Sequence, residues 1–336
     1  MEAQALVDQV RALKLEHRNF KTAYRRLYAQ SALASPGQVI AVVGPTRVGK
    51  TTLSRRLSAE LVKERTDKDE RTIPLIRIEA ATTNQGKFST KHFTLRALEE
   101  LRDPVNIEGW SPFRRSQSET HLRLQLERCI QYRKTRFLLI DEAHHLLRTP
   151  SQTRAGEILD TLKCLGNSTG LVIILFGGYE LLQTCFSSAH LNGRLTVIDF
   201  PPYGLEPGSA SEFDRILATF EEMLPLERSA ALREHRQLIF EGSLGCIGLL
   251  AGWIASGIAE MAAQGEVRLT ISHLLATRLV EQIRPIRDEI ALGRHLSSQW
   301  GIAGSHDAQH EEAQAPPRNA ARRPFERKPK RDPGPH

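Results

Sequence analysis

The chain has 336 residues, of which 40% are hydrophobic and 25% charged, and its formal net charge is +7. These proportions are those of a globular protein, and they exclude a chain that is disordered throughout. The length is sufficient for one large α/β domain with a smaller appendage. Residues 313–336 contain seven Lys or Arg and two acidic residues, so most of the net positive charge lies in this tail.

The cysteines and the apolar segments predict a cytoplasmic protein. The four cysteines form no C-x-x-C pair, which argues against a zinc site or a disulfide framework and for a reducing compartment. They are Cys129, Cys164, Cys185 and Cys246. The N-terminus lacks the apolar core of a signal peptide. Residues 242–259 carry no charge and include a G-x-x-x-G pattern, but they are only just long enough to cross a bilayer, so we expect a buried helix and no membrane contact.

Residues 1–30 contain no Gly or Pro and have apolar residues at helical spacing, which predicts an N-terminal helical segment over residues 1–38. Six Lys or Arg and one Glu lie between Arg11 and Tyr28. This basic bias is typical of a solvated helix face, and it also fits a contact with phosphate or with an acidic neighbouring subunit.

A phosphate-binding motif follows the first predicted strand, residues 39–43. The motif is G-x-x-x-x-G-K-T, whose backbone N–H groups and following helix N-terminus cradle a polyphosphate. Lys50 is predicted to reach the β- and γ-phosphates of ATP, and the Thr51 hydroxyl to hold Mg²⁺. The residues predicted to bind the nucleotide are Gly44, Pro45, Thr46, Arg47, Val48, Gly49, Lys50, Thr51 and Thr52.

The segment after the motif helix contains the candidate DNA contacts. A second strand over residues 73–78 leads into a polar loop, residues 82–91, and helices are predicted over residues 93–101 and 119–132. Lysines and small hydroxyl side chains are typical of phosphate-backbone contacts and equally typical of any exposed loop. The candidate residues are Lys87, Lys91, Arg114 and Arg115.

A third buried strand, residues 137–140, ends in Asp141-Glu142. Asp141 is placed to complete the Mg²⁺ shell, and Glu142 to polarise a water that attacks the γ-phosphate. His144 and His145 follow, but no third ligand stands at helical spacing, so a metal site is not predicted there. The letters D-E-A-H also occur in helicases, which need a second domain of similar size to enclose the nucleotide. Too little α/β pattern remains after residue 205 to form such a domain, so a helicase is excluded.

Strands are predicted over residues 171–176 and 196–200, and Arg194 stands just before the second of these. Four helices then form a small all-α lid over residues 206–295. They are predicted over residues 213–224, 230–241, 247–263 and 271–290. Residues 296–336 become rich in Pro, Ala and Arg, which predicts a disordered basic tail.

A phosphate loop, an acidic strand end, Arg194 and a helical lid together resemble an AAA+ ATPase. Within that class the chain is similar to the TnsC/TniB regulators of transposition, including those of Tn7-like and CRISPR-associated transposons. The similarity covers residues 15–290 and rests on five stretches. They are residues 15–20, 44–51, 139–144, 220–226 and 241–248. It implies an α/β fold, with a phosphate-loop NTPase core on a parallel sheet over residues 39–205.

The resemblance implies a slow, Mg²⁺-dependent ATPase that oligomerises on double-stranded DNA as a ring or filament. Such a protein links a target selector to a transposase. Lys50, Glu142 and Arg194 are then the catalytic residues, Arg194 acting on the γ-phosphate of a neighbouring subunit rather than in a surface salt bridge. Gly177-Gly178 replaces the usual polar γ-phosphate sensor, and residues 242–253 hold no Arg or Lys for a second sensor. The tail is predicted to recruit the transposase or to bind DNA.

Two other classes stay open at this stage. One is an AAA+ loader or motor of another system, such as a replication initiator or a secretion ATPase. The other is a scaffold that is gated by nucleotide and does not hydrolyse it.

Overall fold

The structure is a computed structural model that describes residues 2–13, 15–64, 71–82, 86–103, 117–149, 152–187, 193–206, 208–227 and 230–302. Within these ranges the strands are β1 (Val39–Val43), β2 (Leu75–Glu79), β3 (Phe137–Asp141), β4 (Val172–Gly177) and β5 (Leu195–Asp199). The helices are α1 (Glu2–Ala12), α2 (Arg18–Leu33), α3 (Lys50–Lys63), α4 (Thr90–Glu100), α5 (Glu119–Tyr132), α6 (Gln152–Thr169), α7 (Glu180–Ser187), α8 (Ser209–Met223), α9 (Arg236–Ser243), α10 (Ile247–Ala263), α11 (Ile271–Ala276) and α12 (Arg284–Gln299).

The five strands form one parallel sheet in the order β2-β3-β4-β1-β5. Strands β1, β3 and β4 are buried along their whole length, which explains why their sequences are apolar up to Asp141 at the end of β3. One face of the sheet packs against α2 and α3, and the other against α4, α5, α6 and α7. All five predicted strands are confirmed, with ends that move by at most two residues. Because the strands are parallel, their carboxyl ends open on one edge of the sheet.

The predicted N-terminal segment consists of two helices that pack against different parts of the molecule. Val7 and Val10 of α1 lie in the apolar core of the lid. His17 caps the N-terminus of α2, and its ring accepts a hydrogen bond from the Phe20 N–H; the apolar face of α2 covers the sheet. The segment predicted to be helical over residues 1–38 therefore contains two helices, whose apolar faces are buried in two separate cores.

The lid differs from its prediction at three boundaries. The helix expected over residues 230–241 begins only at Arg236, and the helix expected over residues 271–290 is divided into α11 and α12. Pro285 stands in the first turn of α12, where its missing N–H costs no helix hydrogen bond. Helix α12 then continues past residue 295, with Leu296 buried, so the predicted tail boundary is also wrong.

The uncharged stretch over residues 242–259 lies mostly in α10. Its side chains Leu250, Trp253, Ile254 and Ile258 are buried in the lid core, so the predicted buried helix is confirmed. In the described part of the chain, no single helix is long and apolar enough to cross a membrane. Helices α9 and α10 reach that length and composition only as a pair, and the pair is bent by 108°.

Candidate nucleotide-binding site

The loop between β1 and α3 has the backbone geometry of an anion cradle. Gly49 is the N-terminal cap of α3 and adopts the left-handed conformation with φ 118°. A Cβ at Gly44 would lie against the backbone carbonyl of Phe200, so only glycine fits there. The loop therefore turns tightly and directs the N-terminus of α3, with its partial positive charge, toward the carboxyl edge of the sheet.

Lys50 occupies the first position of α3 and is almost buried, with 9% of its surface exposed. Its Nζ donates hydrogen bonds to the carbonyl oxygens of Gly44 and Pro45 at 2.8 and 2.9 Å. Burial lowers the pKa of Lys50, and the negative charge of Glu289 is the strongest influence that opposes this shift. A buried ammonium whose hydrogen-bond partners here are neutral carbonyls suits an anionic ligand such as a phosphate chain. Of the two threonines that follow, Thr51 is half-buried and Thr52 exposed.

Asp141 and Glu142 stand at the carboxyl end of β3, on the same edge of the sheet. Asp141 is 6% exposed, and its Oδ1 accepts a hydrogen bond from the Glu142 N–H at 3.1 Å. Burial raises the pKa of Asp141, which that hydrogen bond partly offsets. A buried carboxylate with a raised pKa gains from a nearby cation, so Asp141 and the Thr51 hydroxyl fit a Mg²⁺ ion that keeps several waters. Lys50 at the start of α3 and the two acids at the end of β3 lie on the same edge of the sheet, and the charges of both acids raise the pKa of Lys50 against the effect of burial.

His144 lies beside Glu142 and was not predicted to take part in the site. It belongs to the short 3₁₀ helix Ala143–Leu147, and its Nδ1 lies 3.3 Å from Glu142 Oε2. Burial and the neighbouring positive charges lower the pKa of His144 to about 4, so the ring is neutral at pH 7. His145 Nδ1 donates to the Ala80 carbonyl at 2.7 Å and is thereby committed to the backbone. The two rings pack in contact and support the loop that presents Glu142.

Tyr179 is the first polar side chain after β4, which ends at Gly177 and is followed by Gly178. Its hydroxyl donates to Asp199 Oδ1 at 2.9 Å, and burial raises the pKa of Asp199 to about 6. A Cβ at Gly177 would lie 3.2 Å from the His144 amide, and a Cβ at Gly178 would lie 2.7 Å from a carboxylate oxygen of Glu289. The expected lack of a polar side chain at this strand end thus leaves room for a residue from α12.

Glu289, like His144, is a residue of this site that the sequence does not predict. Its Oε2 accepts a hydrogen bond from the Thr46 N–H of the phosphate loop at 2.9 Å. The two residues are 243 positions apart, and no motif surrounds Glu289. Local patterns in the sequence therefore contain no signal for this contact.

The lid contacts the phosphate loop through its backbone. The Gly248 N–H, at the start of α10, donates to the Arg47 carbonyl at 2.9 Å. A Cβ at Gly248 would lie 2.5 Å from the same carbonyl oxygen, so no side chain fits at this contact. Residues 242–253 contain no Arg or Lys that could act as a second sensor. This segment of the lid therefore approaches the phosphate loop closely but brings no positively charged side chain to it.

An aromatic cluster fixes the base of the loop. The rings of Phe200 and His17 are stacked with centroids 6.1 Å apart, and His17 Nδ1 lies 3.0 Å from the Tyr203 hydroxyl oxygen. Asn19, 2% exposed, donates to the Pro201 carbonyl at 3.1 Å. The N-terminal stretch over residues 15–20 thereby anchors the segment that packs against Gly44 and Gly49.

This arrangement is similar to that of known proteins. Residues 33–185 match the family described as an AAA domain. The Aeropyrum pernix ORC1 protein in complex with DNA is similar at 14% identity with a TM-score of 0.56, over 79% of this chain and 66% of that chain. Cdc6p from Pyrobaculum aerophilum is similar at 17% identity with a TM-score of 0.54, over 82% of this chain and 68% of that one. The Aeropyrum pernix ORC2 protein in its ADPNP-ADP complexes is similar at 16% identity with a TM-score of 0.52, over 77% of this chain and 66% of that chain. The chain therefore spans about two thirds of the length of these proteins, and no curated protein matches it.

The chain has the AAA+ phosphate-loop fold. The predicted α/β core on a parallel sheet and the helical lid are both present. The AAA domain match ends at residue 185, so β5 and the lid extend beyond it.

Arg194 stands at the opposite end of the sheet of this AAA+ fold from the phosphate loop. Its carbonyl accepts the N–H of Val39, the first residue of β1, and its guanidinium donates to the Asn167 side chain. A strand of five residues is about 16 Å long at about 3.3 Å per residue. Arg194 therefore lies too far from the loop of its own chain, and a role at a γ-phosphate requires a second subunit.

The candidate DNA contacts follow β2, whose carboxyl end lies on the same edge of the AAA+ sheet as the loop. Lys87 is exposed, and Lys91 is half-buried in the first turn of α4. Arg114, Arg115 and residues 303–336, which include the basic tail, lie outside the described residues. Their predicted roles stay predictions.

Proposed function

We propose that this chain binds and hydrolyses ATP, assembles on double-stranded DNA with ATP and regulates DNA transposition. One observation supports the catalytic part of this proposal. The buried Lys50, the phosphate loop with its glycines, and Asp141-Glu142 at the end of β3 lie together on one edge of the sheet. These groups supply an anion cradle, a cation site and a base that can orient water, which are the parts that phosphoryl transfer to water requires.

Each group then has a separate task. The loop N–H groups and Lys50 would hold the phosphates of ATP, and Thr51 and Asp141 would hold Mg²⁺, which neutralises charge on the phosphate oxygens when it is bound. Glu142 would accept a hydrogen bond from the attacking water. Because His144 is neutral at pH 7, its ring places no positive charge against the Glu142 side chain 3.3 Å away. A carboxylate that is free to accept a proton is a competent base.

Slow hydrolysis is part of the proposal. The strand end at Gly177-Gly178 has no polar side chain to contact a γ-phosphate, and the lid meets the loop through the backbone of Gly248. A polar sensor on the strand and a cationic sensor on the lid would each stabilise the transition state of hydrolysis. Without them hydrolysis should be slower, so an ATP-bound assembly should persist. A long-lived state suits a protein that signals occupancy rather than one that performs work.

The DNA and transposition parts rest on the similarity to the TnsC/TniB regulators. The stretches that carry it include the N-terminal anchor over residues 15–20, which the structure packs against the loop segment. A protein of the same fold, ORC1 of Aeropyrum pernix, has been solved in complex with DNA. We infer double-stranded DNA, a transposase and a target selector as partners, and a ring or filament in which Arg194 serves a neighbouring subunit. The basic tail is inferred to contact the transposase or DNA.

A replication-initiator-like loader is the second candidate, because the ORC and Cdc6 proteins share the fold. The genome neighbourhood separates the two. Transposase genes beside this gene would support the regulator, and an adjacent replication origin would support the loader.

The catalytic part is tested with two variants. Lys50→Ala removes the charge that faces the phosphates and should abolish ATP binding, measured by isothermal titration. Glu142→Gln keeps the shape of the site and should bind ATP while turnover falls by about 100-fold or more. Turnover of Glu142→Gln at the parent rate would refute the role of Glu142. A parent protein that binds ATP tightly and never hydrolyses it would instead be a nucleotide-gated scaffold.

A further inference from the structure

Helix α12 crosses the cleft between the lid and the AAA+ core, with contacts on both sides. Ile283 and Ile290 pack with lid residues in a small apolar cluster. Further along the helix, Leu296 is buried in the core beneath the sheet, and Trp300 packs on Phe186 with ring centroids 4.4 Å apart. The helix is therefore fixed at both ends, and its middle lies over the phosphate loop.

Two residues on one face of α12 meet the site. Glu289 and Gly293 are four positions apart, so they lie on the same side of the helix. Gly293 packs so closely on the Tyr179 ring that a Cβ would overlap it. This close approach brings the Glu289 carboxylate to the Thr46 N–H and beside Gly178.

The Glu289 carboxylate accepts a hydrogen bond from a backbone N–H of the phosphate loop. Thr46 lies inside the G-x-x-x-x-G-K-T loop, whose N–H groups bind phosphate oxygens in proteins with this motif. The negative charge of Glu289 also acts on the Lys50 ammonium more strongly than that of Asp141 or Glu142. A carboxylate in this position supplies the charge and the acceptor oxygen that a phosphate group would supply.

We propose that the Glu289 carboxylate competes with the phosphates of a nucleotide for the phosphate loop, so that a bound nucleotide breaks the Glu289–Thr46 contact and loosens α12. The proposal rests on the proposed function in one respect, namely that the loop binds a nucleotide. Two anions cannot share one cradle, because their charges repel and the Thr46 N–H can serve only one of them. Nucleotide occupancy thereby controls how tightly α12 is held at the phosphate loop.

This arrangement has a quantitative consequence for affinity. A site that is open for only a fraction of the time binds its ligand more weakly by that fraction. Glu289→Gln retains the shape of the side chain and removes the charge that holds it in the cradle. Loss of a charge-assisted hydrogen bond should open the site and tighten ATP binding by about tenfold or more.

The experiment compares dissociation constants of ATP and ADP, by isothermal titration, for the full-length parent, Glu289→Gln and Asp288→Asn. Asp288 is the matched control, because it is the exposed neighbour on the same helix and loses the same charge. We expect tighter binding for Glu289→Gln alone and a change of less than twofold for Asp288→Asn. Equal or weaker binding by a folded Glu289→Gln would overturn the proposal, and equal tightening by both variants would reduce it to a general charge effect.

A second measurement uses the parent protein and does not depend on the variant. Hydrogen exchange of residues 284–299 should become faster when ATP is added, while exchange of α10 in the lid core should not. Unchanged or slower exchange in α12 at saturating ATP would overturn the loosening of α12. A parent protein that binds no nucleotide at all would refute the proposed function, whereas normal ATP binding with an undisturbed α12 would refute only the role of Glu289.

Discussion

Gly248→Ala should detach the lid from the phosphate loop. The added Cβ would lie 2.5 Å from the Arg47 carbonyl oxygen, which also accepts the Gly248 N–H at 2.9 Å. Both partners are backbone, so neither can move aside by rotating a side chain. Overpacking of this kind costs about 1–3 kcal/mol, and the strained hydrogen bond contributes about 1 kcal/mol more. A gain of up to about 1 kcal/mol from helix propensity offsets part of that cost.

The net effect expected for Gly248→Ala is a loss of about 1–3 kcal/mol in the free energy of lid docking, with ATP binding weakened by about tenfold. Thermal unfolding followed by circular dichroism and titration with ATP measure the two effects. Gly252→Ala is the control, since it lies one turn further along α10 and its Cβ would meet nothing within 4 Å. The control should be neutral or slightly more stable. Equal stability and equal ATP affinity of the two variants would refute the reasoning from the close backbone contact.

Three further outcomes are expected. Arg194→Ala and Lys50→Ala subunits should each be inactive and should partly restore ATP turnover when mixed, because some interfaces then hold both intact residues; no recovery in confirmed mixed assemblies would count against a role in trans. Neutral substitutions at Lys87 and Lys91 should flatten the salt dependence of DNA binding, measured by fluorescence anisotropy, since fewer counterions are released; an unchanged slope would remove both residues from the interface. Burial raises the pKa of Asp199 from 3.8 to about 6, so its contribution to stability is present below pH 4 and is lost as the pH rises through 6. Asp199→Asn should therefore gain stability relative to the parent between pH 4 and pH 7, by up to about 3 kcal/mol in urea unfolding, and a constant difference across this range would contradict the assignment.

Local sequence determined the parts of the site that depend on neighbouring residues. The glycines, Lys50 and Thr51 lie within one loop and the helix that follows it, and the acids Asp141-Glu142 end one buried strand. Strand and helix periods make such elements recognisable, because each apolar pattern is repeated within a few residues. The two stretches are about ninety residues apart. Only the known roles of the two motifs in ATP hydrolysis indicated that they belong to one site, because the order of the strands was not predicted.

The tertiary structure decided the features that join distant segments. The two N-terminal helices separate because α1 is buried by the lid and α2 by the sheet. Apolar periodicity predicts that a helix has a buried face, but it does not predict which part of the molecule covers that face. The position of Arg194, far from its own loop, follows from the pairing of β1 with β5.

The contacts of the lid and α12 with the loop show the limit of sequence reasoning most clearly. Gly248 stands in an uncharged helical stretch and Glu289 on an amphipathic helix, and neither pattern indicates a partner in the phosphate loop. Their partners are Arg47 and Thr46, about two hundred residues or more away along the chain. The sequence by itself determined the chemistry of the phosphate loop and of the acidic strand end. Only the packing of α10 and α12 against the core decided which other groups reach that loop. Such contacts depend on how distant segments pack together, and they produce no periodic pattern in the sequence of either segment.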